Sequence, residues 1–248
     1  MDKSIYIISM WDLLWIFIPV TLVIFIFKLW KLKITSPIHG IVRMFIQLLL
    51  IGYALNYIFQ TGRPAIIFGI LTVMLCAAGL IAPRPLEKKT PLIYFLSLIS
   101  IGVGSIPILI IVILGVVHLS PWYDPRYLIP IAGMIFANSM NAVSIAAERF
   151  ESESQRSDEV QVAKSTAFKA ALIPITNSLF AVGIVSLPGM MTGQILSGVS
   201  PLIAVRYQIM VMCMIFSSAG LSSAMYLFFT CRFIDKNNHP MQESPTLG

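Results

Sequence analysis

Polar side chains recur at helical spacing inside stretches that are otherwise apolar. Arg43 and Gln47 are four residues apart, and Asn138 and Asn141 are three apart in a later stretch. These spacings put each pair on one face of a helix. A further apolar stretch carries Asn177, three residues after a proline. Inside a membrane such groups face a partner or water, so they indicate either bonds between helices or a pathway.

Both interpretations of these polar groups stay open. For any single residue, a bond to a neighbouring helix, at roughly 0.6 kcal/mol, is the simpler explanation. For polar groups on three separate helices, a translocation pathway explains the pattern better. The sequence therefore predicts Gln47, Asn138, Asn141 and Asn177 as pathway residues.

The segment SLPGMMTGQILSG, residues 186–198, reads neither as a regular helix nor as a soluble loop. Broken backbone at membrane depth is tolerated where it is buried in protein or lines a cavity. We predict a kinked or re-entrant element here, with Pro188, Gly189, Met190 and Met191 in the pathway. The two methionine sulfurs suit a soft cation. Flexible apolar packing is the alternative and is favoured for this pair.

The sequence lacks the residue patterns that several kinds of chemistry require. The sequence has no Gly-rich phosphate loop ending in Lys-Ser or Lys-Thr, which excludes ATP binding of that type. His39, His118 and His239 are scattered at or beyond helix ends, which argues against a histidine metal centre or a His-based hydrolase. Asp12 is the only acid within a predicted span, so no carboxylate pair suits acid–base catalysis. The sequence predicts neither an enzyme nor a bound cofactor, and no metal ligands are assigned.

The elements that must position these residues are membrane helices. The chain has 248 residues, of which 57% are hydrophobic and 11% charged, against about 25% charged in soluble domains. A spanning helix needs about 20 mostly apolar residues. We predict an all-α polytopic membrane protein with a single permease domain, residues 1–229, and a short cytoplasmic tail, 230–248. The seven predicted spans are Tyr6–Phe27, Ile41–Phe59, Ala65–Ala82, Pro91–Val117, Leu128–Ala147, Thr166–Val185 and Ile203–Phe229.

The distribution of basic residues predicts the orientation. Every second connection is basic, and the alternate ones carry Arg63, Arg126 or no basic residue. The positive-inside rule then puts the N-terminus outside and the C-terminus in the cytoplasm. The net charge of +6 is spread singly among apolar stretches, so no nucleic-acid partner is predicted. The basic groups are Lys28, Lys31 and Lys33; Arg84, Lys88 and Lys89; Arg149, Arg156 and Lys164; and Arg232 with Lys236.

The one long polar insertion, residues 148–165, is predicted to be cytoplasmic. It has two interpretations of equal weight, a docking site for a partner protein and a charged linker exposed to solvent. As a docking site it would act through charged residues at its two ends and at the start of the following helix. These are Glu148, Glu151, Glu159, Lys164 and Lys169.

Five segments carry a family resemblance. They read RMFIQLLLIGYALNYIF, IPIAGMIFANSM, AALIPITNS, SLPGMMTGQILSG and RYQIMVM. In these segments the chain resembles the FetB/YbbM family of membrane permeases, from about the second helix to the seventh and in the same order. The resemblance implies the membrane subunit of an ABC transporter in a bacterial inner or plasma membrane, with a separate FetA-type ATP-binding subunit. It also implies iron export in bacterial members, aluminium tolerance in plant relatives, and pairing of two permease chains.

The chain departs from that family in one place. Family members carry a longer cytoplasmic helix with a Leu-Gly-Ala segment between the fifth and sixth helices. Here QVAKSTAFKAALIP runs directly from the charged insertion into the sixth helix, and the insertion is shorter by about four turns at roughly 3.6 residues per turn. Either residues 148–169 dock an ATPase in a reduced form, or the coupling is lost.

The leading hypothesis is a metal-exporting ABC permease. The alternative is an ATPase-independent membrane carrier or a non-transporting membrane scaffold. A carrier needs an acid to couple an ion, and Asp12 is the one acid that a predicted span offers. Loss of gradient-driven transport in Asp12→Asn would favour the carrier.

Overall fold

The computed structural model describes residues 9, 11–61, 63–156 and 159–238. Apart from one isolated bridge between Val182 and Ser186, the regular elements of these residues are helices, which confirms the all-α class. The chain divides into two compact units, Met1–Gln60 and Thr61–Gly248. Each unit is described by itself.

The described part of the chain contains eight α-helices. Proline stands at the start of α3, α4 and α5, where a missing N–H leaves no bond unmade. The α4 helix continues as a π-helical segment, Ile111–Val116, and a short 3-10 segment, Asp12–Ile16, precedes α1. The helices are α1 Phe17–Leu29, α2 Thr35–Thr61, α3 Pro64–Ile81, α4 Pro91–Ile110, α5 Pro125–Ser154, α6 Val160–Ala181, α7 Gly189–Leu196 and α8 Pro201–Asn238.

Six of the described helices are long and apolar enough to cross a membrane: α1 with its 3-10 segment, α2, α3, α4, α5 and α8. The multi-pass character is thereby confirmed. The predicted span Thr166–Val185 is observed as α6, Val160–Ala181, which falls outside this set. Its lysines, Lys164 and Lys169, and its polar residues reduce its hydropathy. The count of seven spans and the orientation remain predictions.

Three helices form the centre of the second unit. The α4, α5 and α8 helices pack against one another, α3 packs on α4 and α5, α6 packs on α5 and α8, and α7 packs on α8. Small residues allow close approach, as is typical of membrane helices. A Cβ atom built on Gly79 of α3 would lie 2.9 Å from the Cα atom of Leu98 of α4. The core therefore depends on backbone proximity as well as on bulky side chains.

The chain is broken on both sides of α7. Gly183 has φ +84° and Gly198 has φ +92°, conformations that glycine adopts without the steric cost of a Cβ atom. Between these turns, residues 189–196 form an eight-residue helix. The predicted broken segment before the last helix is confirmed. Whether it re-enters the membrane remains a prediction.

The polar insertion is largely helical. Glu148 to Ser154 extend α5, and α6 begins at Val160. Arg149 Nη2 lies 2.7 Å from Glu153 Oε1, an ion pair one turn apart. Two helix ends and a short connection therefore stand where a loop of residues 148–165 is predicted.

Candidate translocation route and cytoplasmic surface

Three buried hydroxyls meet where α4, α5 and α8 come together. Ser105 Oγ donates a hydrogen bond to Ser139 Oγ at 2.9 Å, and Ser222 Oγ lies 3.5 Å from Ser105 Oγ. All three side chains are fully buried. We call Ser105, Ser139 and Ser222 the serine cluster. It is a polar contact between the three central helices of the second unit.

Gly104 explains how α4 and α8 approach so closely beside this cluster. A Cβ atom built on Gly104 would lie 2.7 Å from the Cα atom of Ser222, which is closer than real Cβ contacts allow. The backbone of one helix therefore fills the space that a side chain of the other would need. The α4 and α8 backbones are therefore in close contact at the level of the serine cluster.

Other buried serines of α4 and α8 bond to their own helix. Ser97 donates to the Ile93 carbonyl at 2.8 Å, and Ser100 donates to the Leu96 carbonyl at 2.7 Å. Ser223 donates to a carbonyl one turn earlier, also at 2.8 Å. Such back-bonds satisfy a hydroxyl without a partner helix. In the described residues, therefore, only the serine cluster joins buried serine hydroxyls of different helices.

Two glutamine oxygens lack a hydrogen-bond donor in the described part of the chain. Gln194 Oε1 of α7 and Gln208 Oε1 of α8 are buried and unbonded. Gln208 is 5% exposed and lies in the outer half of α8 according to the predicted topology. It precedes Ser222 by fourteen residues, about 3.9 turns and about 21 Å along the helix. The two residues therefore lie on nearly the same face of α8.

The predicted pathway residues of the second unit have different environments. Asn138 Nδ2 donates to the Met134 carbonyl of its own helix at 2.8 Å. Asn141 and Asn177 are exposed, and none of these three asparagines forms a side-chain hydrogen bond to another helix within the described residues. The remaining predicted residues lie at the start of α7: Pro188, Met190 and Met191 are half-buried, and Gly189 is exposed. Met190 also packs against the hydrophobic core.

Gln47 belongs to the first unit. With its amide oxygen facing the guanidinium group of Arg43, Oε1 accepts from Nε at 3.0 Å and from Nη2 at 3.3 Å. The predicted sharing of one helix face by this pair is confirmed. Gln47 thereby satisfies two of the hydrogen-bond donors of the Arg43 guanidinium group inside an apolar helix.

A carboxylate organises the end of the second unit that is predicted to be cytoplasmic. Glu151 of α5 accepts hydrogen bonds from the backbone N–H groups of Glu87 and Lys88, at 3.2 and 3.5 Å. About two turns earlier, Ser144 Oγ donates to the Ala82 carbonyl at 2.6 Å. The connection between α3 and α4 is thereby attached to α5 at two levels.

The other predicted docking residues lie around this end. Glu148, Glu159 and Lys169 are exposed. Lys164 Nζ lies 5.8 Å from the centre of the Phe228 ring, within the range of a cation–π contact. Beside it, a cavity of about 390 Å³ separates the start of α6 from the second half of α8. Its lining comprises Gln161, Lys164, Ser165, Phe168, Ala224, Met225, Leu227 and Phe228.

A larger cavity of about 500 Å³ lies between α3, α4 and α5. Its lining is almost wholly apolar, with Phe68, Trp122 and Phe136 among the side chains. Thr72 is the only hydroxyl of the lining, and it donates to the Phe68 carbonyl at 2.8 Å. The cavity therefore offers hydrocarbon contacts and lacks polar groups directed at a metal ion.

A family model described as an uncharacterised protein family, UPF0014, matches residues 10–234. The chain belongs to the UPF0014 family. No solved structure matches it.

Curated relatives extend this UPF0014 assignment across bacteria and plants. The chain is 33% identical to the probable iron export permease protein FetB of Escherichia coli strain K12 over 215 residues, 80% of this chain and 81% of the relative. It is 33% identical to the UPF0014 membrane protein YjkA of Bacillus subtilis strain 168, over 82% of this chain and 86% of the relative. It is 32% identical to the protein ALUMINUM SENSITIVE 3 of Arabidopsis thaliana, over 75% of this chain and 72% of the relative. The resemblance to the FetB family is confirmed.

In this UPF0014 chain, the serine cluster and the two glutamines are absent from the set predicted from sequence. A signal exists for one member of the cluster: Ser218 and Ser222 are four residues apart in α8. Small polar residues at helical spacing are typical of a close helix interface.

The second unit of the UPF0014 chain offers neutral oxygen atoms. No group of three or more His, Cys, Asp or Glu side chains in the described residues is arranged to hold a metal ion. Cys76 and Cys213 are free thiols. The polar groups at the centre of this unit are neutral hydroxyls.

Proposed function

We propose that this chain is the membrane-spanning permease subunit of an ABC transporter that exports iron or another metal ion. A separate ATP-binding subunit supplies the energy. The observation that carries the proposal is the 33% identity to a relative named as a probable iron export permease, over 80% of this chain. Six described helices suited to a membrane fit such a subunit.

The proposed route runs through the second unit and opens by alternating access. The serine cluster and the contact of Gly104 with Ser222 form its closed point. Opening at one face breaks the 2.9 Å bond between Ser105 and Ser139 and exposes neutral oxygens. The predicted pathway residues of this unit are retained in the proposal: Asn138, Asn141, Asn177, Pro188, Gly189, Met190 and Met191. Gln47 belongs to the first unit and stays a separate prediction from the sequence.

The proposed docking surface for the ATP-binding subunit comprises the end of α5 and the start of α6. The charged residues at this surface are Glu148, Glu151, Glu159, Lys164 and Lys169. Glu151 acts by fixing the α3–α4 connection, since its carboxylate accepts from two backbone N–H groups there. Two permease chains and two ATP-binding subunits form the proposed complex.

The direct test is affinity purification of the tagged chain from its native membrane in mild detergent, followed by mass spectrometry of the proteins that co-purify. We expect an ATP-binding subunit in stoichiometric amount. Recovery of the chain alone, under conditions that keep a relative with the longer α5–α6 connection bound to its ATPase, would contradict the proposal. It would favour the alternative of an ATPase-independent carrier or a scaffold.

A charge-reversal variant makes this test specific to the surface. Glu148→Lys with Glu159→Lys should reduce recovery of the ATP-binding subunit. Asp124→Asn is the matched control, because Asp124 caps the opposite end of α5 by accepting from the Arg126 N–H at 2.9 Å. Equal loss in both variants would indicate unfolding rather than a docking defect.

A further inference from the structure

The cavity between α3, α4 and α5 enters the second unit from its surface. It has a volume of about 500 Å³. Part of its lining is buried and forms the floor, and part is exposed and forms the rim. The floor includes Leu109, Ile113 and Phe136, and the rim includes Phe68, Ile110 and Leu114. Because α3, α4 and α5 are all suited to cross a membrane, we expect the rim to face lipid.

The lining of this cavity offers contacts to hydrocarbon alone. It contains no charged side chain, and its single hydroxyl, that of Thr72, donates to the Phe68 carbonyl. Sites for polar solutes carry a few convergent polar groups, which this lining lacks. An apolar cavity of about 150 Å³ stays dry and takes up benzene, and this one has roughly three times that volume. Its ligand is therefore an apolar molecule or chain.

Aromatic side chains mark one end of the cavity as the membrane interface. The centroid of the Trp122 ring lies 5.5 Å from that of Phe68 and 5.6 Å from that of Tyr123. Trp and Tyr are enriched where the hydrocarbon of a bilayer meets the headgroups. Asp124 and Arg126 follow at the start of α5, and charged side chains are costly inside the hydrocarbon. We therefore place Trp122 at the level of the lipid headgroups.

The depth of the cavity matches one leaflet of a bilayer. Along α5 the lining extends from Leu128 to Phe136, a separation of eight residues or about 12 Å. A hydrocarbon core of about 30 Å gives each leaflet about 15 Å. The cavity thus extends from the interface through most of one leaflet, which is the depth that an acyl chain occupies.

The backbone of one wall changes its helix type beside the cavity. Ile110 ends α4, and Ile113 and Leu114 belong to the π-helical segment that follows. Such segments are rare and frequently occur at functional sites. A rare backbone form therefore builds one wall of the cavity, which supports a ligand there independently of the cavity's shape.

We propose that this cavity binds one acyl chain of a phospholipid from the surrounding bilayer. A slender chain fits its volume, whereas two turns of a helix about 10–12 Å across would occupy roughly twice that volume. A free fatty acid would bring a carboxylate, and the lining offers no Lys or Arg to pair with it. A chain in the cavity regains the dispersion contacts that an empty apolar space forfeits. This lipid site is additional to the metal route and does not depend on it.

Filling the cavity with a larger side chain tests the proposal. The full chain, purified and delipidated in detergent, is titrated with dioleoylphosphatidylcholine, and the bound phospholipid is counted by native mass spectrometry. We expect wild type to bind one phospholipid molecule. Leu71→Trp should bind it about tenfold or more weakly, because Leu71 lines the cavity and the indole takes the space of the chain. Val73→Trp is the matched control on the same helix and should bind as wild type does, since Val73 is 69% exposed and outside the lining.

Trp122 reports where the acyl chain lies, because it is part of the lining. The sequence has four tryptophans, so Trp11→Phe, Trp15→Phe and Trp30→Phe together leave Trp122 alone. Phosphatidylcholine with brominated acyl chains should quench its emission over the concentration range in which the single molecule binds. Absence of quenching in that range would place the bound molecule elsewhere and overturn the inference.

Other occupants of the cavity give different results, each of which would also overturn the inference. Absence of binding by wild type, or equal weakening by Leu71→Trp and Val73→Trp, would indicate only general contact with lipid. Binding of oleic acid without binding of phosphatidylcholine would indicate a fatty-acid site. Conversion of a dimer to a monomer by Leu71→Trp, with phospholipid binding unchanged, would indicate that a second copy of the chain covers the cavity. Ile110→Trp, at the exposed rim, repeats the test if Leu71→Trp does not fold.

Discussion

Glu151 Oε2 accepts a hydrogen bond from the backbone N–H of Glu87 at 3.2 Å. Its second oxygen lies 3.5 Å from the Lys88 nitrogen, so one carboxylate of α5 holds two consecutive amides of the α3–α4 connection. Backbone amides do not change with the side chain, so this contact tolerates variation at Glu87 and Lys88. A residue of the predicted docking surface thereby also shapes a neighbouring connection.

Replacing Glu151 by alanine should free this connection. We expect faster hydrogen exchange at the Glu87 and Lys88 amides, and an unfolding free energy lower by about 1 kcal/mol, the usual net value of a hydrogen bond. Glu153→Ala is the control, because its partner Arg149 lies on the same helix and such pairs contribute about 0.3 to 0.5 kcal/mol. Equal exchange rates in the two variants would contradict the role of Glu151.

Gly104→Ala should destabilise the second unit by roughly 1 to 3 kcal/mol, the usual range for overpacking. The added Cβ would lie 2.7 Å from the Ser222 Cα atom, so α4 and α8 must separate. Gly102→Ala shares the gain in helix propensity but would meet only side-chain atoms at ordinary contact distance, Leu75 Cδ2 at 3.7 Å and Ile106 Cδ1 at 4.0 Å. Thermal unfolding in detergent compares the two. A Tm for Gly104→Ala at or above that of Gly102→Ala would show that the helices do not close here.

The bond between Ser105 and Ser139 should couple the two residues energetically. A double-mutant cycle with Ser105→Ala and Ser139→Ala is expected to give a coupling of about 0.6 kcal/mol, the average for such bonds between membrane helices. Ser223→Ala in place of Ser139→Ala should give none, because its hydroxyl bonds to Ala219 of its own helix. Additive effects in the first cycle would mean that the serine cluster is only steric packing.

Met190→Leu with Met191→Leu should leave metal efflux unchanged at equal expression. Leucine keeps the apolar volume, and Met190 packs against the hydrophobic core. Loss of efflux in the double variant, with a normal amount of protein in the membrane, would instead indicate that the thioether sulfurs bind the metal.

Much of the fold could be predicted because membrane helices depend on local composition. Six of the predicted spans overlap helices that are long and apolar enough to cross a bilayer, and the break before the last helix is signalled by Pro188, Gly189, Gly193 and Gly198. The Thr166–Val185 span differs in its bounds. Its helix begins at Val160, because the charged residues of the insertion are compatible with a solvated helix and do not end it.

The candidate site could be predicted only in part, since its geometry depends on contacts between distant residues. Ser139 is 34 residues and Ser222 is 117 residues from Ser105 along the chain. Their contact therefore follows from helix packing and not from spacing in the sequence. Gln208 reads as an ordinary polar residue until its burial without a donor is known. Conversely, Asn138 satisfies its amide within its own helix, which spacing alone does not reveal.

The central claim is that a partner ATPase drives metal through this chain, and reconstitution tests it most directly. The co-purified complex is placed in proteoliposomes, and ATP hydrolysis and metal movement across the membrane are measured together. We expect the metal to stimulate hydrolysis and to cross only when ATP is supplied. Metal movement driven by a proton gradient without ATP, and abolished by Asp12→Asn, would contradict the claim and establish an ATPase-independent carrier.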